Sequence, residues 1–148
     1  MTASKTAFLT ALVAVGVVAA DQISKAIVRA NISRFDEHEL FLGIKLINTR
    51  NTGVAFSMFS GGGPFVVIIA LIALAALLVF FFTHLHRPLV WLPTGLLLGG
   101  AAGNLIDRIR VGAVTDFVKL PHWPAFNVAD ICVTLGVLAL IWVLEKTK

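Results

Sequence analysis

Two aspartates, Asp116 and Asp130, are the residues best suited to chemistry in this chain. Phe117 and Val118 follow Asp116, and Asp130 begins a long apolar run, so neither carboxylate lies in the hydrophilic stretch expected of a solvated surface. Carboxylates are costly in apolar surroundings and therefore mark candidate functional sites. Two of them held close in a poorly hydrated site share a proton, so that one acts as a base toward water while the other donates to a carbonyl oxygen. The pair predicts acid–base hydrolysis without a metal.

Other catalytic chemistries lack their components. His84 and His86 are the only closely spaced histidines, and they have no acidic companion for a metal. No Gly-x-Ser-x-Gly elbow or phosphate-binding loop is present, and Ser57 and Ser60 have no identifiable base. His122 is interpreted as an interfacial loop residue. We therefore expect neither a metal nor a cofactor.

The composition indicates that these aspartates belong to an integral membrane protein. Hydrophobic residues make up 58% of the 148 positions and charged residues 14%, unlike a soluble domain. The 12 Lys and Arg are scattered singly, which argues against nucleic-acid binding. A helix needs about 20 apolar residues to cross a bilayer, and four such segments are predicted, near 6–27, 64–83, 88–106 and 127–144. The fold class predicted is an all-α integral membrane protein with four transmembrane helices and a short β element in the extramembrane segment 28–63.

An even number of spans joined by short loops brings the polar residues to one membrane face. The residues that share this face are Asp21, Lys25, Asn51, Asn104, Asp107, Arg108, Asp116 and Asp130. Lys and Arg are also more frequent on that side, and the positive-inside rule taken alone would place it in the cytoplasm.

Span three carries glycines at a four-residue spacing, Gly95, Gly99 and Gly103, followed by Asp107. Such a stripe lets a neighbouring helix approach closely. Asn104 and Arg108 lie on the adjacent stripe with Gly100, so Asn104 can hydrogen-bond across helices and Arg108 can pair with a carboxylate. For Asp107 and Arg108 we favour a structural role, helix association and an internal ion pair, that supports the site.

Several alternatives remain open on these residues alone. Lys5 and the small residues Val18-Ala19-Ala20 could define a cleavable signal peptide, although Asp21 and Lys25, four apart on one face, favour a continuous helix. Asp130 could serve only to stabilise the positive end of a helix. Paired aspartates also build proton relays, so a small proton-coupled transporter is the main alternative function. An assembly protein with purely structural carboxylates is a second.

Five ordered blocks give the chain a specific likeness, and through them it resembles the bacterial lipoprotein signal peptidases, or type II signal peptidases. The blocks are Asp21-Gln22-Ile23-Ser24-Lys25, Asn51-Thr52-Gly53-Val54-Ala55-Phe56, Gly99-Gly100-Ala101-Ala102-Gly103-Asn104-Leu105-Ile106-Asp107-Arg108, Gly112-Ala113-Val114-Thr115-Asp116-Phe117 and Phe126-Asn127-Val128-Ala129-Asp130.

The resemblance implies an aspartic endopeptidase of the bacterial inner membrane that acts as a single domain over 1–148. It implies cytoplasmic termini, an extracytoplasmic β cradle with a mobile flap, and a site at the outer leaflet. Substrates would be diacylglyceryl-prolipoproteins, cleaved just before the lipidated cysteine, and the inhibitor would be globomycin. Membrane lipid is the other expected partner, and the protein is expected to be a monomer. By motif, Asp116 and Asp130 are the catalytic dyad. The positions implied to shape the pocket or support the dyad are Asp21, Lys25, Asn51, Gly100, Asn104, Asp107, Arg108, Asn127 and Ala129.

Overall fold

The computed structural model describes residues 1–53 and 62–146, and it is mostly helical. Its helices are α1 (Ala3–Asn31), α2 (Gly62–Thr83), α3 (Trp91–Val111) and α4 (Val128–Lys146). Three of them, α1, α2 and α4, are long and apolar enough to cross a membrane. The protein is therefore a multi-pass membrane protein. The helix α3 is more polar because Asn104, Asp107, Arg108 and Arg110 all lie in its second half.

The helix α3 packs against α1, α2 and α4, and its glycines allow the close approach to α1. A Cβ on Gly95 would lie 2.7 Å from the Cβ of Val13, and one on Gly99 would lie 2.6 Å from the Cβ of Val17. Both distances are too short for any side chain, so the α1–α3 contact requires glycine here. The stripe predicted from the four-residue spacing is thus the α1-facing side of α3.

Three short strands form one antiparallel sheet in the order β1 (Glu37–Phe41), β2 (Ile44–Asn51) and β3 (Val114–Lys119). Leu42 and Gly43 connect β1 to β2, and both have positive φ, 50° and 77°, as two-residue hairpin turns require. The β element expected in the first loop is confirmed as this hairpin. The sheet also includes β3, which comes from the third loop and was not predicted.

The sheet packs against the end of α1. Val28 and Ile32, at the end of α1, pack with Phe117 of β3 in a buried cluster. The Asn48 amide also donates to the Ile32 carbonyl oxygen at 2.7 Å. These contacts fix β3 against the end of α1 that carries Lys25. Residues 54–61 of the first loop, among them Ser57 and Ser60, lie outside the described residues, and the flap implied by the resemblance stays a prediction.

Candidate active site

Asp116 lies in the middle of β3 and is 3% exposed. On one side its strand pairs with β2, where Thr49 lies opposite Asp116. On the other side Phe126 forms a bridge with Val118, and the Phe117 N–H donates to the Phe126 carbonyl oxygen at 3.0 Å. Because Asn127 follows Phe126 directly, this bridge brings the start of α4 next to Asp116.

Asp130 lies in the first turn of α4 and is half-buried. Its backbone N–H donates to Asn127 Oδ1 at 2.9 Å, and the Asn127 backbone N–H donates to Asp130 Oδ2 at 3.3 Å. This reciprocal pair is a capping box, which satisfies backbone donors at the start of a helix. The carboxylate of Asp130 is therefore held in place by the helix that carries it.

Two asparagine amides connect the aspartates. Asn127 Nδ2 donates to Asp116 Oδ1 at 2.7 Å, and Asn104 Nδ2 donates to Asp130 Oδ1 at 2.8 Å. The amides also contact each other, since Asn127 Nδ2 donates to Asn104 Oδ1 at 3.2 Å. The structure thus joins Asp116 and Asp130, 14 positions apart in the sequence, in one hydrogen-bonded network.

A buried charged cluster of Lys25, Asp21 and Asp107 lies behind this network, between α1 and α3. Lys25 Nζ is 2.8 Å from Asp21 Oδ2 and 3.3 Å from Asp107 Oδ2, and none of the three residues is more than 1% exposed. Lys25 also donates to Asn104 Oδ1 at 3.0 Å. Asp21 Oδ1 accepts the backbone N–H of Ala129 at 3.0 Å, one residue before Asp130.

The ion pair expected of Asp107 is present, but its partner is not Arg108. Asp107 pairs with Lys25 and, at 3.6 Å, with Arg29, and it accepts the Thr115 N–H at 2.9 Å. Adjacent residues on a helix point about 100° apart, so Arg108 faces away from this cluster. Arg108 Nη1 donates instead to the Asn104 carbonyl oxygen at 3.3 Å. Its Nε is buried without a hydrogen-bond partner among the described residues.

The remaining predicted site residues also lie near the dyad. Asn51 ends β2, and its side chain lines the same pocket as Asp116. Gly100 lies directly against α4, because a Cβ there would be 2.6 Å from the Ala129 carbonyl oxygen. Sequence reasoning missed Gln22, which donates to Asp107 Oδ1 at 3.1 Å, and Thr115, whose hydroxyl accepts from Arg29 Nη1 at 3.0 Å. Both lie within the quoted sequence blocks, which is the signal that could have identified them.

Burial and charge change the acidity of Asp116. Removal from water raises its pKa, and the neighbouring charge of Asp130 raises it further, to about 6, although hydrogen bonds from Asn127 and Asn51 act in the opposite direction. Two nearby carboxylates with unequal environments can divide acid and base roles between them.

Two apolar grooves open near the dyad. One, about 460 Å³, contains Arg108 and residues of the first turns of α2, among them Val66 and Val67. The other, about 320 Å³, contains Asp130 itself with Trp123, Phe126 and Ile131. His84 and His86 lie elsewhere, in the turn after α2, where His84 stacks on Phe80. No cluster of three metal-binding side chains occurs within residues 1–53 and 62–146.

The fold and this site define a multi-pass membrane protein with a polar, carboxylate-containing network at one end of its helices. The model of the family described as signal peptidase (SPase) II matches residues 13–145. The chain belongs to the signal peptidase II family and is therefore a protease.

Curated relatives agree with this assignment. The chain is 42% identical over 134 residues to the lipoprotein signal peptidase of Syntrophomonas wolfei subsp. wolfei (strain DSM 2245B / Goettingen), a match covering 89% of this chain and 90% of that protein. It is 41% identical over 136 residues to the lipoprotein signal peptidase of Symbiobacterium thermophilum (strain DSM 24528 / JCM 14929 / IAM 14863 / T), covering 87% and 89%. None of these matches supports a transporter.

Among solved structures, the chain is similar to a bacterial membrane enzyme determined by the in meso method at 1.9 Å resolution. The TM-score is 0.86 and the sequence identity 35%, with 94% of each chain covered.

Proposed function

We propose that this protein is an aspartic endopeptidase that removes signal peptides from diacylglyceryl-modified prolipoproteins, cutting just before the lipidated cysteine. The observation that carries the proposal is the network of Asn104 and Asn127, which holds Asp116 and Asp130 together at one end of the helices. Membership of the signal peptidase II family and the names of the relatives support the choice of substrate.

The proposed chemistry needs one proton on the pair. One carboxylate removes a proton from water, and the resulting hydroxide attacks the scissile carbonyl carbon while the other carboxylic acid protonates the carbonyl oxygen. Asp116 and Asp130 are the proposed catalytic residues. Around them, Asn104 and Asn127 hydrogen-bond within the dyad network, and Asn51 lines the same pocket as Asp116. The residues proposed to support the network are Asp21, Lys25, Asp107 and Arg108. Gly100 and Ala129 allow α3 and α4 to meet closely beside it.

The surroundings of the dyad suit a substrate that arrives within the bilayer. The two grooves near the site are lined mostly by apolar side chains, which favour acyl chains and an apolar signal segment over a soluble peptide. Membrane lipid is therefore the second proposed partner. We further propose that the enzyme works as a monomer, since all the residues of the hydrogen-bonded network around Asp116 and Asp130 belong to one chain.

We propose four transmembrane helices in a single domain over 1–148 in the bacterial inner membrane, with the dyad on the extracytoplasmic side. The fourth span would be α3, in which Asp107 is buried and Asn104 and Arg108 are partly buried among the neighbouring elements, while Arg110 is exposed at the end of the helix. Intramembrane polar residues characteristically face the bundle interior in this way.

The test is cleavage of a diacylglyceryl-preprolipoprotein by the purified protein in detergent, followed by mass analysis of the new amino terminus. Asp116→Asn and Asp130→Asn should each reduce the rate by at least about 10³-fold, because each removes a group that moves a proton. The matched control is Asp36→Asn, an exposed carboxylate outside the network, which should cleave at the parental rate. Equal cleavage of lipidated and unlipidated substrate, or turnover by either dyad variant, would contradict the proposal.

A further inference from the structure

The hydrogen bonds around Asp116 and Asp130 also determine which way the side-chain amides of Asn104 and Asn127 face. Each asparagine amide has one oxygen that accepts and one nitrogen that donates. When a neighbour can only donate, the amide oxygen must face it, and the nitrogen then faces the opposite side. Two such neighbours are present, the Lys25 ammonium and a backbone N–H.

Lys25 determines the orientation of Asn104. The ammonium lies 3.0 Å from Asn104 Oδ1, and it has no lone pair to accept a hydrogen bond. Reversal of the amide would therefore place an NH2 group against a buried cation. With the oxygen held toward Lys25, Asn104 Nδ2 donates to Asp130 Oδ1 at 2.8 Å.

The backbone of Asp130 determines the orientation of Asn127 in the same way. Its N–H donates to Asn127 Oδ1 at 2.9 Å, so Asn127 Nδ2 is directed to Asp116 Oδ1 at 2.7 Å. The Asn127 backbone N–H donates to Asp130 Oδ2 at 3.3 Å. Both oxygens of Asp130 thus accept hydrogen bonds from donors whose orientation is fixed, whereas Asp116 accepts the Asn127 amide on Oδ1.

We propose that Lys25 is a positioning residue which, through Asn104, directs a hydrogen bond to Asp130 and leaves the shared proton on Asp116. This rests on the proposed function and assigns its roles. Asp130 takes a proton from water, and the water oxygen bonds to the carbonyl carbon while Asp116 protonates the carbonyl oxygen. Asp130 then passes its proton to the cysteine nitrogen as the C–N bond breaks, and the intermediate's hydroxyl returns a proton to Asp116 as the carbonyl re-forms.

Burial and the charge of Asp130 favour a proton on Asp116, whereas the charge of Lys25 lowers the pKa of Asp116, so Lys25 acts in the proposed direction only through the Asn104 amide. The charged groups that act on Asp116 are Asp130 of α4, Lys25 of α1 and Arg108 of α3. Burial is the largest of the influences that favour the protonated form of Asp116. Asp116 therefore retains its preference for the proton even when the charge of Asp130 is removed.

The experiment locates the proton by infrared spectroscopy of the protonated carboxyl C=O band in purified protein, titrated in detergent between pH of about 4 and 8, the range that brackets the Asp116 pKa. Subtracting the Asp116→Asn spectrum from the parental one should reveal a band that titrates. Subtracting the Asp130→Asn spectrum should show the same band displaced to lower pH and not lost, because the charge of Asp130 that raises the pKa of Asp116 has been removed. If the carboxyl band disappeared in the Asp130→Asn variant, or lost equal intensity in the Asp116→Asn and Asp130→Asn variants, the assignment of the proton to Asp116 would be overturned.

The role of Lys25 is tested by repeating both subtractions in a Lys25→Met background, where signals from Asp21 and Asp107 cancel. Without Lys25 the Asn104 amide is free to turn, and at least about a tenth of the band intensity should then move from Asp116 to Asp130. A change of only about 1.4 kcal/mol shifts the equilibrium of the proton between the two sites tenfold. An unchanged distribution would refute the positioning role. If Lys25→Met does not fold, Asn104→Leu removes the same donor to Asp130 and is held to the same criterion. The spectra do not depend on turnover, so failure of the parental protein to cleave would refute the proposed function alone.

Discussion

Replacement of Asp116 with Asn should stabilise this protein at high pH and leave its stability unchanged at low pH. The folded state raises the pKa of Asp116 from 3.8 to about 6, so the folded state binds a proton more tightly than the unfolded chain does. Stability is then lost as the pH rises through that interval, because the buried carboxylate must ionise in the folded protein. Asn cannot ionise, and its amide oxygen can still accept from Asn127 Nδ2.

The size of the effect follows from the same values. A rise from 3.8 to about 6 disfavours the ionised folded state by about 3 kcal/mol at most. Water has partial access through the grooves beside the site, and solvent screening reduces this to about 1–2 kcal/mol. For a chain of this length that corresponds to an increase in Tm of about 3–6 °C.

The assay compares thermal unfolding in detergent at pH of about 4 and about 8, the two ends of the interval over which Asp116 titrates. The Tm of the Asp116→Asn variant should exceed that of the parent at the higher pH and equal it at the lower one. The control Asp36→Asn alters an exposed carboxylate and should shift the stability by less than about 0.5 kcal/mol at either pH. The reasoning would be refuted if the Asp116→Asn variant were less stable than the parent at high pH, or if the difference in Tm did not depend on pH. Either result would show that the folded state does not disfavour ionisation of Asp116.

Three further predictions concern packing, topology and mechanism. Gly99→Ala should lower the free energy of unfolding by about 1–3 kcal/mol, because the added Cβ would lie 2.6 Å from the Cβ of Val17. The control Gly16→Ala, where an added Cβ would meet no atom within 4 Å, should leave stability unchanged. Equal Tm values for the two variants would contradict the packing argument. In a Cys132→Ala background, a membrane-impermeant thiol reagent should label Arg50→Cys but not His86→Cys in intact cells, and the reverse pattern would invert the proposed orientation. The cleavage rate should fall in acid, where both carboxylates are protonated, and in base, where both are ionised, with apparent pKa values that belong to the pair. Chelators should have no effect on the rate. Activity that a chelator removes and an added metal restores would count against the metal-free mechanism.

The helices could be predicted from apolar length, but the ends of α1 could not. The first apolar run predicted a span over 6–27, whereas α1 extends over Ala3–Asn31. An apolar run measures only the part of a helix that crosses hydrocarbon. The Thr2 hydroxyl accepts the Lys5 N–H at 3.3 Å, and such a cap extends a helix beyond the apolar region.

The strand β3 escaped prediction because its sequence lacks the usual alternation. Val114, Thr115, Asp116 and Phe117 are all buried, so polar and apolar side chains do not separate into an exposed and a buried face. The partner of Asp107 could not be predicted, since Lys25 is 82 positions away and only the packing of α1 on α3 brings it near. By contrast, the spacing of Asn127 and Asp130 contains a capping-box signal that sequence reasoning could have used.

The packing of α1 on α3 also supports the proposed catalytic pair, Asp116 and Asp130. A Cβ on Gly103 would lie 2.5 Å from Asp21 Oδ2, so glycine at this position leaves the space that the Asp21 carboxylate occupies. Asp21 then holds Lys25 through Oδ2 and the Ala129 N–H through Oδ1. A buried charged cluster adds little to stability by itself and is strongly destabilising when one partner is removed. Its retention here is better explained by what it orients, because one end of the cluster fixes the Asn104 amide and the other fixes the first turn of α4 that carries Asp130.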